Sequence, residues 1–123
     1  MGKLQSFAQL RKFLLSKPAA QGSYPFGPGA LVFKVGEKMF AIVAEDGDPL
    51  RMTLKCDPDE ALALRSEYPR SILPGYHTAK RHWNTVVLDG KLNDALVKEM
   101  IDQSYELVVA KLPKAAREKL RKK

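Results

Sequence analysis

Between Leu31 and Cys56 the apolar residues recur at every second position in three runs, and the joints between the runs are too short for anything but antiparallel reversal. Leu31-Val32-Phe33-Lys34-Val35 and Lys38-Met39-Phe40-Ala41-Ile42-Val43 flank Gly36-Glu37, a glycine-led pair that suits a tight hairpin. Glu45-Asp46-Gly47-Asp48-Pro49 makes the second reversal. Leu50 to Cys56 then alternates strictly, sending Leu50, Met52, Leu54 and Cys56 toward a core and Arg51, Thr53 and Lys55 away from it.

The remaining segments supply helices and two further strands. Leu4, Phe7, Leu10, Leu14 and Leu15 recur at intervals of three and four, which predicts an amphipathic helix over 3–17, ended by Pro18. Tyr24-Pro25-Phe26-Gly27-Pro28-Gly29 is stiff and non-helical. Asp57-Pro58-Asp59-Glu60 combines an N-cap, a proline at the first helical position and a first-turn acid, so a helix runs from there to about Tyr68. Ile72 to Tyr76 and Asn84 to Leu88 are strand-length, and a long helix opens near Asn93 and stops at Pro113. The expected class is α+β: a two-layer sandwich in the order α-β-β-β-α-β-β-α, with helices on one face of an antiparallel sheet and the other face open.

At 123 residues, 45% of them hydrophobic and 28% charged, the chain suits one soluble domain. No apolar run approaches the roughly 20 residues of a membrane-spanning helix. The single cysteine cannot form an internal disulfide, which points to a reducing cytoplasm. The net charge of +7 suggests a polyanionic partner, but it is unevenly placed. Residues 114–123 hold six basic side chains against Glu118, leaving only +2 for residues 1–113. The expected organisation is a single domain over 1–113 followed by a solvated basic tail, either a frayed helix or disordered.

The densest cluster of chemistry is Tyr76-His77-Thr78-Ala79-Lys80-Arg81-His82-Trp83-Asn84. Lys80 and Arg81 suit backbone phosphates, Tyr76, His77 or Trp83 suits stacking on a base, and Asn84 beside His82 adds a donor and an acceptor. Lys34, Arg51 and Lys55, outward on nearby strands, extend the candidate surface across the open face. His77, His82 and Cys56 lack the spacing of a metal site, and Cys56 falls on the inward phase of its strand, where a thiol is inert. There is no phosphate-cradling glycine loop, no serine elbow and no carboxylate dyad. The residues therefore point away from catalysis, from a metal and from any cofactor.

Tyr24-Pro25-Phe26-Gly27, the hairpin around Gly36, Leu54-Lys55-Cys56-Asp57-Pro58, Pro74-Gly75-Tyr76-His77 and Lys80-Arg81-His82-Trp83-Asn84-Thr85-Val86 together resemble the MmcQ/YjbR family of small bacterial proteins, over about residues 4–112. The resemblance implies a domain similar to the frataxin-like and secretion-chaperone-like folds, and a DNA-binding role through hairpin wings. Frataxin-type iron binding needs an acidic first helix, whereas Lys3, Arg11, Lys12 and Lys17 make this one basic. The expectation is a monomeric, non-enzymatic binder of double-stranded DNA. The alternative is a protein-interaction module using the open sheet face or the Trp83 loop.

Overall fold

Positive φ at both Gly36 (56°) and Glu37 (71°) gives the first hairpin the backbone of a type I′ turn, whose twist matches that of the strands it joins. The computed structural model describes residues 6–47, 49–75 and 78–121. In chain order these form α1 (Phe7–Leu15), β1 (Gln21–Ser23), β2 (Ala30–Val35), β3 (Lys38–Ala44), β4 (Leu50–Lys55), α2 (Pro58–Glu67), β5 (Ile72–Pro74), β6 (Trp83–Leu88), α3 (Asp94–Ala110) and α4 (Lys114–Arg121). The strands make one antiparallel sheet in the order β1-β2-β3-β4-β6-β5. The fold is α+β, as the periodicities require.

One face of the sheet is sealed by helices. Leu31, Phe33, Val43, Met52, Leu54 and Val86 meet Leu10 and Leu14 of α1, Ala61 and Leu64 of α2, and Val97, Ile101, Tyr105 and Val108 of α3 in a continuous core. Burying each large side chain of this kind is worth about 1.5–3 kcal/mol. Each of these helices starts on a side-chain cap: Ser6 accepts from the Gln9 amide, Asp57 from that of Asp59 and Asn93 from that of Leu96. The opposite face stays open, and among the described residues its groove is lined only by strand residues and the loop before β2.

Strict alternation fails at one place. Phe33 pairs with Ala41 and Lys34 with Met39, so Phe40 is an extra residue bulged out of β3. The bulge turns the Phe40 ring into the helix layer, edge-on to Tyr105 at 5.3 Å between centroids. The Ser104 hydroxyl of α3 then donates to the Phe40 carbonyl at 2.6 Å and accepts from the Lys55 amide at 2.9 Å. It bridges β3 and β4 beyond Ala41 and Leu54, the last pair at that end of their ladder.

Two elements differ from the sequence-based expectation. β1 adds a sixth strand to one edge. The basic C-terminal segment, expected to be solvated, forms α4 over Lys114–Arg121, and its Ala116 and Leu120 are half-buried against the core. Leu120 and Ala116 lie four apart, on one side of a helix, which gives this charged segment an apolar seam.

Candidate nucleic-acid interface

Strand direction decides where the cations go. β2 ends, β3 begins, β4 ends and β6 begins at the same end of the sheet, the end that carries the Gly36-Glu37 turn. The β5–β6 loop and the end of α3 arrive there too, bringing Lys34, Lys38, Lys55, Lys80, Arg81, Lys111 and Lys114 to one pole. Glu37 and the first-turn acids Asp59 and Glu60 of α2 interrupt this basic pole without balancing it. The opposite pole carries Glu45 and Asp46 of the β3–β4 turn and Asp89 after β6.

At the basic pole a cleft of about 360 Å³ is lined by Lys55, Cys56, Asp57, Pro58, Ala79, His82, Trp83, Leu107 and Lys111. Trp83 is half-buried and stands opposite Lys55 in the β4–β6 register. The His82 side chain is exposed while its backbone is tied down, the carbonyl accepting from Cys56 at 2.7 Å and the amide donating to Ala79 at 2.9 Å. Lys80 and Arg81 are exposed on the adjoining turn and share a smaller depression with Pro58, Asp59, Leu62 and Arg65. Arg65 holds that turn in place, donating to the Lys80 carbonyl and, at 2.7 Å, to Asn84 Oδ1. A cluster of basic side chains beside an indole face is suited to phosphates flanking a stacked base.

Three sequence expectations are corrected by this geometry. Asn84 is not a surface donor: it is 2% exposed, and its amide lies between Arg65 and the Ala61 carbonyl on the helix side. Alternation along β6 sends Trp83 one way and Asn84 the other, so adjacent residues do not share a face. Lys34 and Lys55 lie on β2 and β4, which are separated by β3, about 10 Å apart at the basic pole. Arg51 is four residues back along β4, about 13 Å from Lys55, and borders the open-face groove instead. Tyr76 and His77 lie outside the described residues.

Lys111 was not among the residues singled out from the sequence. Ser104, Leu107 and Lys111 fall on one helical stripe of α3, and that spacing is the signal that places Lys111 beside β4.

Cys56 is buried, and desolvation pushes its thiol from the usual value near 9.0 up to about 11, with the negative charges of Glu60 and Asp57 adding to the effect. The thiolate is suppressed at neutral pH, which removes Cys56 from nucleophilic roles. The folded state holds this proton longer than the unfolded one, so the thiol's contribution to stability is complete below pH 9.0 and is lost as pH rises through about 11. Alkylation of native Cys56 by iodoacetamide should keep accelerating through that window; a rate that levels off near pH 9.0 would contradict the burial effect.

The YjbR family profile matches residues 15–107, which takes in all six strands. Over 121 residues the chain is 35% identical to Escherichia coli O157:H7 protein YbdF, covering 98% of each. It is 33% identical over 115 residues to YjbR of Escherichia coli strain K12, covering 94% of this chain and 97% of that one. Both relatives are described as uncharacterized proteins. The crystal structure of a Deinococcus radiodurans protein is similar with a TM-score of 0.91 and 40% identity, spanning 97% of this chain and 90% of the other. With the family profile matching most of the chain and relatives above 30% identity along nearly its whole length, the chain belongs to the YjbR family.

Proposed function

We propose that the chain binds the backbone of double-stranded DNA at its basic pole, without covalent chemistry and as a monomer in the cytoplasm. One observation carries this reading: Lys55, His82, Trp83 and Lys111, from three separate elements, line a single cleft beside the exposed Lys80 and Arg81. The cations would neutralise phosphates and release counterions, a sequence-independent contribution, while Trp83 would pack on sugar or base at the groove edge. Among the described residues no helix is long and apolar enough to cross a membrane.

Duplex binding followed by fluorescence anisotropy at several salt concentrations tests the reading. Lys55→Ala with Lys111→Ala, and separately Lys80→Ala with Arg81→Ala, should each weaken binding and reduce the slope of log K against log salt by about 1–2, roughly one unit for each phosphate that is no longer neutralised. Lys91→Ala with Lys119→Ala, both exposed and outside the cleft lining, should change the slope less. If that pair carries the salt dependence and the cleft pairs do not, the assignment fails.

A further inference from the structure

The open sheet face carries a second concavity, different in chemistry from the cleft at the basic pole. It encloses about 560 Å³, within the range of roughly 300–1,000 Å³ typical of small-molecule sites. Ile42 and Leu73 supply apolar lining from β3 and β5, and the Thr53 and Thr85 hydroxyls, 2.9 Å apart, bond each other across its floor. Among the described residues Arg51 is the one charged side chain in its lining. No acid among the described residues pairs with Arg51.

The outer wall is Phe26, which is 69% exposed although it belongs to an anchored loop. Two bonds pin that loop to the β3–β4 turn: the Tyr24 hydroxyl donates to Glu45 Oε2 at 2.7 Å, and the Glu45 amide donates to the Gly29 carbonyl at 2.9 Å. The loop meets this constraint with positive φ at Gly27 and Gly29. A large ring held against water beside an apolar hollow is surface that a ligand would cover.

We infer that this groove binds a small carboxylic acid with an aromatic or branched apolar body, its carboxylate on the Arg51 guanidinium and its body between Phe26, Ile42 and Leu73. Charge selects the occupant. A lone cation at the rim of an apolar hollow is complementary to a ligand with one anionic end, and a guanidinium engages a carboxylate through two parallel hydrogen bonds. An extended peptide fits less well, because most of the groove lies over β3, β4 and β6, interior strands whose backbone groups are committed to their ladders. A second copy related by a two-fold axis would bring one Arg51 toward the other, an unfavourable pairing of like charges.

Titration with 2-naphthoate, read in amide proton–nitrogen spectra, tests the assignment against its neutral analogue 2-naphthalenemethanol. The expected result is movement of the Ile42, Thr53 and Thr85 amides, with naphthoate bound about tenfold or more tightly than the alcohol, the difference made by one charge-assisted contact. Arg51→Gln should abolish that preference while leaving alcohol binding unchanged; Arg51 is exposed, so the variant keeps the fold. Equal affinity for acid and alcohol, no response of the groove amides at millimolar ligand, or an undiminished preference in Arg51→Gln would each overturn the proposal. Groove amides that move with protein concentration alone would overturn it in favour of self-association.

Discussion

Replacing Ser104 with alanine is expected to lower the free energy of unfolding by about 2–4 kcal/mol, a large effect for the removal of a single oxygen atom. The Ser104 side chain is fully buried, and its hydroxyl satisfies two backbone groups at once, the Phe40 carbonyl and the Lys55 amide. Those groups are left over because the β3–β4 ladder ends at Ala41 and Leu54, one residue short of Phe40, which bulges from the β2–β3 ladder, and of Lys55. Without the hydroxyl, a donor and an acceptor stay buried and unpaired, each at a cost of about 1–3 kcal/mol. Urea denaturation measures the loss, and hydrogen exchange locates it: the Lys55 amide should exchange much faster in Ser104→Ala, while the Gln103→Ala control leaves it unchanged. A loss below about 0.5 kcal/mol, the range of ordinary surface substitutions, would show that the bridge does not hold the bulge.

The second large effect is expected from Arg65→Met, which links the fold to the interface. Arg65 reaches from α2 to Asn84 on β6 and to the Lys80 carbonyl on the adjoining turn. Methionine preserves much of the apolar stem and removes both hydrogen bonds, leaving the buried Asn84 carbonyl oxygen short of its charged donor. Hydrogen bonds from charged groups contribute about 1.5–3 kcal/mol, so a loss of about 2–4 kcal/mol in stability is expected. Lysine should rescue little of it, since one ammonium cannot present the guanidinium's fork of donors to two separate acceptors. The turn carrying Lys80 and Arg81 would also lose its anchor. Arg65→Met should therefore weaken duplex binding about as much as the Lys80→Ala, Arg81→Ala pair, although neither cation is altered. Native stability together with unchanged binding would exclude Arg65 as the positioning residue.

The strands and most helix boundaries were legible because they follow from period and punctuation: alternation from Leu50 to Cys56, the Gly36-Glu37 turn, the cap at Asp57. The bulge was not, since one extra residue in an apolar run leaves no compositional trace. β1 was hidden for a different reason. Gln21-Gly22-Ser23 has no side-chain signature of a strand, and only its backbone pairing with Val32, Phe33 and Lys34 makes it one. The charge of residues 114–123 masked the Ala116 and Leu120 seam. For the candidate site, contiguity misled: Lys80 to Asn84 looks like one surface, yet strand alternation buries Asn84, and topology carries Arg51 away while bringing Lys111 in.

The margins of the sheet have a consequence for how copies of this protein meet. β1 is three residues long and includes Gly22, and β5 ends on Pro74, which has no amide hydrogen to offer. Neither margin is a good template for another strand, so the sheet is poorly suited to growing sideways into dimers or fibrils. In a crowded cell, such blunt margins let the chain carry an open apolar groove and an exposed phenylalanine with little risk of polymerising through its own backbone.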